Sequence, residues 1–187
     1  MLSSLLDWDR SAFIAINNGL ANSFFDLICP FIRTQEIWYP LYAFFLFVII
    51  KKYKKESWKI ILAISLMVLV SDQFSANLIK NTFMRLRPCV EPNLIGITRH
   101  LIGSCAGYSF ISAHATNHFA LAVFISFFFK TQKWVLPLLL CWAFMIAFSQ
   151  VYVGVHYPLD VTVGAAVGSL FGISFSRYVN KFIKLSI

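Results

Sequence analysis

The stretch that decides the fold reads Ser149-Gln-Val-Tyr-Val-Gly-Val-His-Tyr-Pro-Leu-Asp160, and it lies between two long apolar runs. Pro158 suits the first position of a helix, because its ring presets the helical φ and its missing N–H needs no partner there. His156 then precedes a helix N-terminus, and Asp160 lies in the first turn. A carboxylate beside an imidazole can orient the ring, which leaves the other nitrogen free to attack or to take a proton. Such a pair is also a common structural cap, so the rest of the chain must decide.

The composition is that of an integral membrane protein. Of the 187 residues, 59% are hydrophobic, 13% are charged and 20 are phenylalanine. The charged share is about half that of a soluble domain, and several apolar runs approach the length that spans a bilayer. We expect an all-α fold, a polytopic transmembrane helix bundle in one domain over residues 1–187. Asp7 and Asp9 stand where a cleavable signal would be basic, so we expect no such signal.

The net charge of +8 comes from basic residues at the ends of apolar runs. Ten of the 16 lysines and arginines form three clusters: Lys51, Lys52, Lys54, Lys55 and Lys59; Lys130 and Lys133; Arg177, Lys181 and Lys184. Because positive charge beside spanning helices marks the cytoplasmic side, we expect these clusters inside and no nucleic-acid partner. Cys89 and Cys105 then share an outer loop, where an oxidising compartment permits a disulfide without requiring one.

The apolar runs predict five spans with the amino terminus outside. These spans begin near Ile37, Trp58, Ser112, Val135 and Pro158. Residues 1–34 contain no window of about twenty apolar residues, so we expect interfacial helices there; a poor first span would raise the count to six. In the last span Gly164, Gly168 and Gly172 repeat every four residues. That pattern permits close helix packing, either within the bundle or between two copies of the chain.

The outer half of the second span is too polar to face lipid. Four polar positions share one face at 3.6 residues per turn: Gln73, Asn77, Lys80 and Arg87. Polar groups at this depth face a bundle interior or a water cavity. Asp72 either ties helices together or offsets the charge of Lys80. Pro88 should end the helix, since the residue before a proline avoids the helical region.

Three polar clusters meet on the outer side: Lys80 with Arg87, Ser112-Ala113-His114, and Ser149 to Asp160. Their chemistry suits a phosphate, because a lysine, a planar arginine fork and the free N–H groups of a helix start all bind phosphate oxygens. Two histidines can serve as nucleophile and general acid. No carboxylate cluster suits magnesium, so we expect neither metal nor cofactor; zinc on His114 and His118, four residues apart, is the alternative.

These clusters resemble the motifs of the type 2 phosphatidic acid phosphatase superfamily, which are Lys-x6-Arg-Pro, Pro-Ser-Gly-His and Ser-Arg-x5-His-x3-Asp. The first is intact from Lys80 to Pro88. The second appears as Ile111-Ser112-Ala113-His114, and the third runs from Ser149 to Asp160 with Gln150 in place of arginine. The resemblance covers about residues 35–178, the predicted catalytic bundle.

The resemblance implies a role for each matching residue. His156 attacks phosphorus to form a phosphohistidine, Asp160 orients it, and His114 protonates the leaving group and then activates water. The phosphoryl oxygens are held by Lys80, Arg87, Ser112, the Ala113 N–H and Gln150. Gln150 brings no charge, and a charge-assisted hydrogen bond is about twice as strong as a neutral one. We therefore hypothesise that Arg85 or Arg99 contacts the phosphate, although Arg85 could instead be solvated.

The predicted function is that of a lipid phosphate phosphatase in a bacterial inner membrane, with its active site facing the periplasm. The bilayer and a membrane lipid phosphate are the implied partners, and the sequence leaves the oligomeric state open. Candidate substrates are undecaprenyl pyrophosphate, phosphatidylglycerophosphate, phosphatidic acid and lipid A phosphates. The loop at 88–111 and the N-terminal helices are expected to select among them. A catalytically silent lipid-phosphate binder is the alternative that Gln150 suggests. A transporter or channel that uses the polar face around Asp72 is the third hypothesis.

Overall fold

The computed structural model describes residues 2–183, and every regular element in that range is helical. The α-helices are α1 Leu2–Asn17, α2 Ser23–Ile32, α3 Tyr39–Tyr53, α4 Ser57–Asp72, α5 Lys80–Phe83, α6 Ala113–Phe127, α7 Val135–Tyr152 and α8 Pro158–Asn180. A π-helical segment, Gln73–Ile79, joins α4 to α5. Short 3₁₀ turns occupy Gln35–Trp38, Lys54–Glu56, Pro88–Val90 and Pro92–Leu94. The predicted all-α class is confirmed.

Among residues 2–183, three helical stretches have the length and hydropathy to cross a membrane: Gln35–Leu94, Val135–Tyr152 and Pro158–Asn180. The first contains both α3 and α4, which pack against each other across the 3₁₀ turn between them. Helix α6 is shorter, at 15 residues, and lies among α4, α7 and α8. The chain is therefore a helical membrane protein, while the count of five spans stays a prediction.

The closest helix contact joins α6 to α8 through the glycines of α8. A Cβ built on Gly164 would lie 2.8 Å from the carbonyl oxygen of Ser112, and one on Gly172 would lie 2.7 Å from that of Ala120. A Cβ on Gly168 would overlap the Thr116 carbonyl group. The two backbones thus touch where no side chain intervenes. The glycine pattern was predicted to serve packing either within the bundle or between two copies of the chain. In the structure these glycines pack within the bundle.

The basic clusters meet at one end of the bundle, away from the predicted site. The Lys52 ammonium donates to the Phe128 carbonyl oxygen, 2.6 Å away, after the C-terminal end of α6. The Lys59 ammonium donates to the Phe182 carbonyl oxygen, 3.0 Å away, just after α8. Cations at helix C-termini offset the negative end of the dipole. Lys184, assigned to the third cluster, lies outside the described residues.

The polar second span departs from the predicted regular helix. It winds as a π-helix over Gln73–Ile79 and ends at Phe83, after which Met84 adopts the left-handed conformation at φ 46°. The prediction that Arg87 shares a helical face with Lys80 was wrong, because the helix stops four residues before Arg87. The π-helical winding also breaks the 3.6-residue period on which that prediction depended.

Asp72 ties α4 to α6, the first of its two predicted roles. The Asn117 amide donates to Asp72 Oδ1, 3.0 Å away, and the Ser71 hydroxyl donates to Asn117 Oδ1 at 2.6 Å. In the loop that follows α5, Cys89 and Cys105 form the disulfide that the sequence permitted, with their Cα atoms 6.4 Å apart. The loop is thereby closed on itself beside the site.

Replacing Gly168 by alanine should destabilise the fold by about 1–3 kcal/mol, because the added methyl group must separate α6 from α8. We expect a lower melting temperature for the purified protein in detergent. Gly103→Ala is the matched control, since no described atom lies within 4 Å of the Cβ added there. Equal melting temperatures for the two variants would contradict the direct contact between the two backbones.

Candidate active site

The pair His156 and Asp160 lies at the start of α8, as the sequence predicted. Tyr157 is the extended N-cap residue, Pro158 is the first helical residue, and Asp160 Oδ2 accepts the Tyr157 N–H at 2.8 Å. His156 Nδ1 lies 3.5 Å from the same oxygen. The two residues are 1% and 0% exposed. Asp160 therefore both caps the helix and orients the imidazole, which leaves Nε2 of His156 free for chemistry.

Burial keeps the His156 ring neutral. Loss of hydration lowers the pKa of His156 from 6.5 to about 4, and the charges of Arg87 and Lys80 act in the same direction. The hydrogen bond to Asp160 and its negative charge raise the pKa and offset part of this effect. The imidazole therefore holds an available lone pair near neutral pH.

Two further groups hold the Asp160 carboxylate. The Ser109 hydroxyl donates to Asp160 Oδ2 and lies 3.5 Å from His156 Nδ1. Arg85 Nη1 donates to Asp160 Oδ1 at 2.7 Å, and the guanidinium stacks 3.8 Å from the centre of the Tyr157 ring. A buried carboxylate with this many donors is fixed in position. Sequence reasoning missed Ser109, which stands outside the three motifs.

Helix α1 reaches the site through Asp9. Arg85 Nη2 donates to Asp9 Oδ2 at 2.6 Å, while Asp9 Oδ1 accepts the N–H of Leu159 at 2.8 Å. Asp9 is fully buried, so it is a structural partner of the site rather than a charge at the interface. No local pattern in the sequence could identify this partner, because Asp9 and Arg85 are 76 residues apart.

The first turn of α6 meets the first turn of α8. The Ser112 N–H donates to the Asp160 carbonyl oxygen at 3.1 Å, and the Ser112 hydroxyl caps α6 by accepting the Ala115 N–H at 3.4 Å. This contact brings His114 to the same end as His156, within electrostatic reach of His156 and Lys80. The first N–H groups of α6, that of Ala113 included, have no intrahelical partner and can bind an anion.

His118 is engaged within the bundle. Its Nδ1 lies 2.7 Å from the His114 carbonyl oxygen, and its Nε2 lies 3.1 Å from the Tyr42 hydroxyl. Both ring nitrogens have partners, so the pair of His114 and His118 does not fit the zinc alternative. Elsewhere in the described range, Cys89, His100 and Cys105 lie within 4.8 Å of one another. The disulfide leaves no thiolate there for a metal.

Lys80 and Arg87 form a cluster of positive charge beside the histidines. Both are half-buried, and both act electrostatically on His156. Within residues 2–183 neither forms an ion pair within 4.0 Å. The Arg87 Nε is buried and has no hydrogen-bond partner in that range. Cations collected in this way need an anion, because burying like charges is unfavourable.

The contacts of Arg85 and Arg99 do not support the hypothesis that either side chain binds the phosphate. Arg85 lies between the carboxylates of Asp9 and Asp160. Arg99 Nη2 donates to the Asp26 carboxylate at 2.6 and 2.7 Å, and its Nη1 donates to the Asn17 carbonyl oxygen at 3.0 Å. Each guanidinium is already neutralised, and its removal would leave carboxylates unpaired. Both arginines therefore fasten the N-terminal helices to the bundle.

Gln150 contacts Arg33, which lies at the end of the N-terminal segment predicted to be interfacial. Its Oε1 accepts the Nε–H of Arg33 at 3.3 Å, while its buried Nε2 has no partner among the described residues. Arg33 caps the C-terminus of α2 and lies within electrostatic reach of His114 and Arg87. The missing charge at Gln150 was a signal to search for another cation, but the sequence did not favour Arg33 over other basic residues.

Comparison with known proteins identifies several relatives of this chain. The lipid A 4'-phosphatase of Bacteroides thetaiotaomicron is 30% identical over 187 aligned residues, which cover 97% of this chain and 81% of that protein. The lipid A 4'-phosphatase of Porphyromonas gingivalis is 34% identical over 172 residues, covering 90% and 71%. The crystal structure of Aquifex aeolicus LpxE has a TM-score of 0.66 at 25% identity, covering 90% of this chain and 94% of that one.

The family assignment follows from a match over most of the chain. The model of the PAP2 superfamily matches residues 58–184, which include all three motifs from Lys80 to Asp160. The two relatives extend the similarity to the N-terminal helices. This chain belongs to the PAP2 superfamily and is a phosphatase.

Proposed function

We propose that this chain is a metal-independent lipid phosphatase that acts through a phosphohistidine on His156. The observation that carries the proposal is a buried imidazole that Asp160 orients and that lies within electrostatic reach of Lys80 and Arg87, two cations with no carboxylate partner among residues 2–183. A phosphate monoester would supply the negative charge that this cluster lacks. The other features of the site then have defined roles in phosphoryl transfer.

In the first step Nε2 of His156 attacks phosphorus while the bond from phosphorus to the lipid oxygen breaks. Asp160 stabilises the positive charge that develops on the ring. The bound phosphate anion offsets the nearby cations and favours the protonated form of His114, which donates its proton to the leaving oxygen. Lys80, Arg87 and the free N–H groups at the start of α6 hold the three non-bridging oxygens.

In the second step a water molecule replaces the histidine. His114, now neutral, takes a proton from the water as its oxygen attacks phosphorus. The bond between phosphorus and Nε2 breaks, inorganic phosphate leaves, and His156 is neutral again. The proton given to the lipid in the first step is recovered in the second, so both histidines return to their starting state.

Lipid A carrying a 4'-phosphate is the substrate that we propose. Two relatives of that name align with 97% and 90% of this chain, and their alignments reach the N-terminal helices. In this chain α1 and α2 are fastened to the site by Asp9 and by the pair of Asp26 and Arg99. A similarity that includes these helices supports a shared headgroup, because they lie against the phosphate site.

We further propose that the 187 residues form one catalytic domain with five spans in a bacterial inner membrane. The three basic clusters mark the cytoplasmic end, since positive charge there follows the general topology rule. The histidines lie at the opposite end, and the Cys89–Cys105 disulfide beside them suits an oxidising compartment. Both features support a site that faces the periplasm.

His156→Ala should lower turnover of lipid A 4'-phosphate by about 10⁴-fold or more, because the nucleophile is lost. Phosphate release by purified protein in detergent measures this, and an unchanged melting temperature shows that the variant folds. His100→Ala, which removes an exposed loop histidine, is the control and should retain activity. A His156→Ala variant with normal turnover would refute the assignment of the nucleophile.

Chelation should leave activity unchanged, since the proposed chemistry uses only side chains and water. We expect the same rate of phosphate release before and after exhaustive treatment with EDTA. A loss of rate that magnesium or zinc restores would show that a metal takes part, and the two-histidine scheme would then be incomplete.

The His156 ring should stay neutral from pH 8 to about pH 5 in the free enzyme, because its pKa is lowered to about 4. Protein labelled with ¹⁵N-histidine shows this by NMR, with the His156→Ala spectrum assigning the signal. Since the unfolded chain binds this proton near pH 6.5 and the folded chain does not, His156 should cost stability as the pH falls from 6.5 to 4. An imidazolium signal for His156 at pH 6 would contradict this expectation.

A further inference from the structure

The position of Gln150 poses a chemical problem that the three motifs do not solve. The side chain is fully buried in the last turns of α7, and it is neutral. Its Nε2 has no hydrogen-bond partner in the described residues, which is costly for a buried donor unless a ligand pairs with it. Its Oε1 is occupied by the Nε–H of Arg33, 3.3 Å away. The glutamine therefore points a free donor into the site and holds a guanidinium beside it.

Arg33 is suited to bind an anion. Within residues 2–183 it has no carboxylate within 4.0 Å, and of its three nitrogens Nε alone is hydrogen-bonded there. The terminal nitrogens Nη1 and Nη2 remain available as a planar fork, the geometry that matches two phosphate oxygens. Burial and the charge of Arg87 lower the pKa of Arg33, so a bound anion would relieve a repulsion already present.

Arg33 is also held firmly where it stands. It closes α2, and its own N–H donates to the carbonyl oxygens of Cys29 and Phe31. Helix α2 is fastened to α7 by the Tyr152 hydroxyl, which donates to Asp26 Oδ1 at 2.6 Å. A side chain on a fixed helix end needs little reorganisation to meet a transition state.

We propose that Arg33 binds a non-bridging oxygen of the transferring phosphoryl group, and that Gln150 positions Arg33 while donating its Nε2 hydrogen to the same group. The cation is thus supplied by α2 rather than by α7. Within the described residues the site then holds three cations that lack a carboxylate partner: Lys80, Arg87 and Arg33. This inference rests on the proposed phosphatase function and names two further groups of the same site.

The test exchanges the two side chains. In Arg33→Gln the cation is lost, and kcat/KM for lipid A 4'-phosphate should fall by about 10²–10³-fold, the usual cost of removing one donor to a developing charge. Adding Gln150→Arg to that variant returns a guanidinium to the site from α7, and it should recover at least tenfold. Gln150→Arg alone places a second arginine beside Arg33 and should not exceed the wild type.

Arg10→Gln is the matched control, because Arg10 is another N-terminal arginine whose contacts are with Asp7 and Glu91 at 3.5 and 3.6 Å. Its activity should lie within threefold of the wild type. Activities are compared only among variants whose melting temperature equals that of the wild type. A threefold or smaller loss in Arg33→Gln would overturn the proposal. A large loss without recovery in the double variant would overturn it as well, since Arg33 would then act through structure rather than charge.

Binding of orthovanadate, a phosphate analogue, separates this inference from the proposed function. Vanadate should raise the melting temperature of the wild type, and Arg33→Gln should need at least tenfold more vanadate for the same rise. If the wild type releases no phosphate from any lipid, the proposed function fails, but this weakening would still place Arg33 in the anion site. Equal vanadate binding by wild type and Arg33→Gln would refute the role of Arg33 whatever the activity.

Discussion

The buried carboxylate of Asp160 is the group on which the site depends. It carries a charge in a position without solvent exposure, and such a charge is tolerated only when donors surround it. Those donors come from three parts of the chain: Arg85 after α5, Ser109 before α6 and the N–H of Tyr157 before α8. The need to satisfy one carboxylate therefore gathers the segments that carry the proposed phosphate-binding groups. It also presents a fixed acceptor to the His156 ring.

The second constraint is the contact between the backbones of α6 and α8. Glycines at every fourth position allow α8 to touch the carbonyl groups of α6, and the Ser112 N–H then reaches the carbonyl oxygen of Asp160. Because His114 follows Ser112 by two residues and His156 precedes Asp160 by four, this contact sets the relation between the two histidines. In the proposed mechanism, two histidines held by backbone packing need little rearrangement during phosphoryl transfer.

The N-terminal helices are part of the site rather than an addition to it. Asp9 of α1 holds Arg85 and the start of α8, and Asp26 of α2 holds Arg99 and Tyr152. These ion pairs explain why Arg85 and Arg99 are not free for a substrate. They also place the end of α2, and with it Arg33, against Gln150. Gln150 on α7 carries no charge, and Arg33 at the end of α2 places a positive charge beside it.

The sequence by itself determined the helical membrane class, the start of α8 at Pro158, the cap at Ser112 and the identity of the motif residues. These follow from local rules: hydropathy, proline geometry, capping chemistry and fixed spacing. Only the tertiary structure decided that the second span ends at Phe83, that Arg85 and Arg99 are paired with carboxylates, and that Asp9, Ser109 and Arg33 reach the site. The physical reason is that charge pairing is a long-range choice. Arg33 donates a hydrogen bond to a residue 117 positions away in the sequence. No periodicity or motif in a single sequence predicts which of several arginines will pair with a given buried acid or amide.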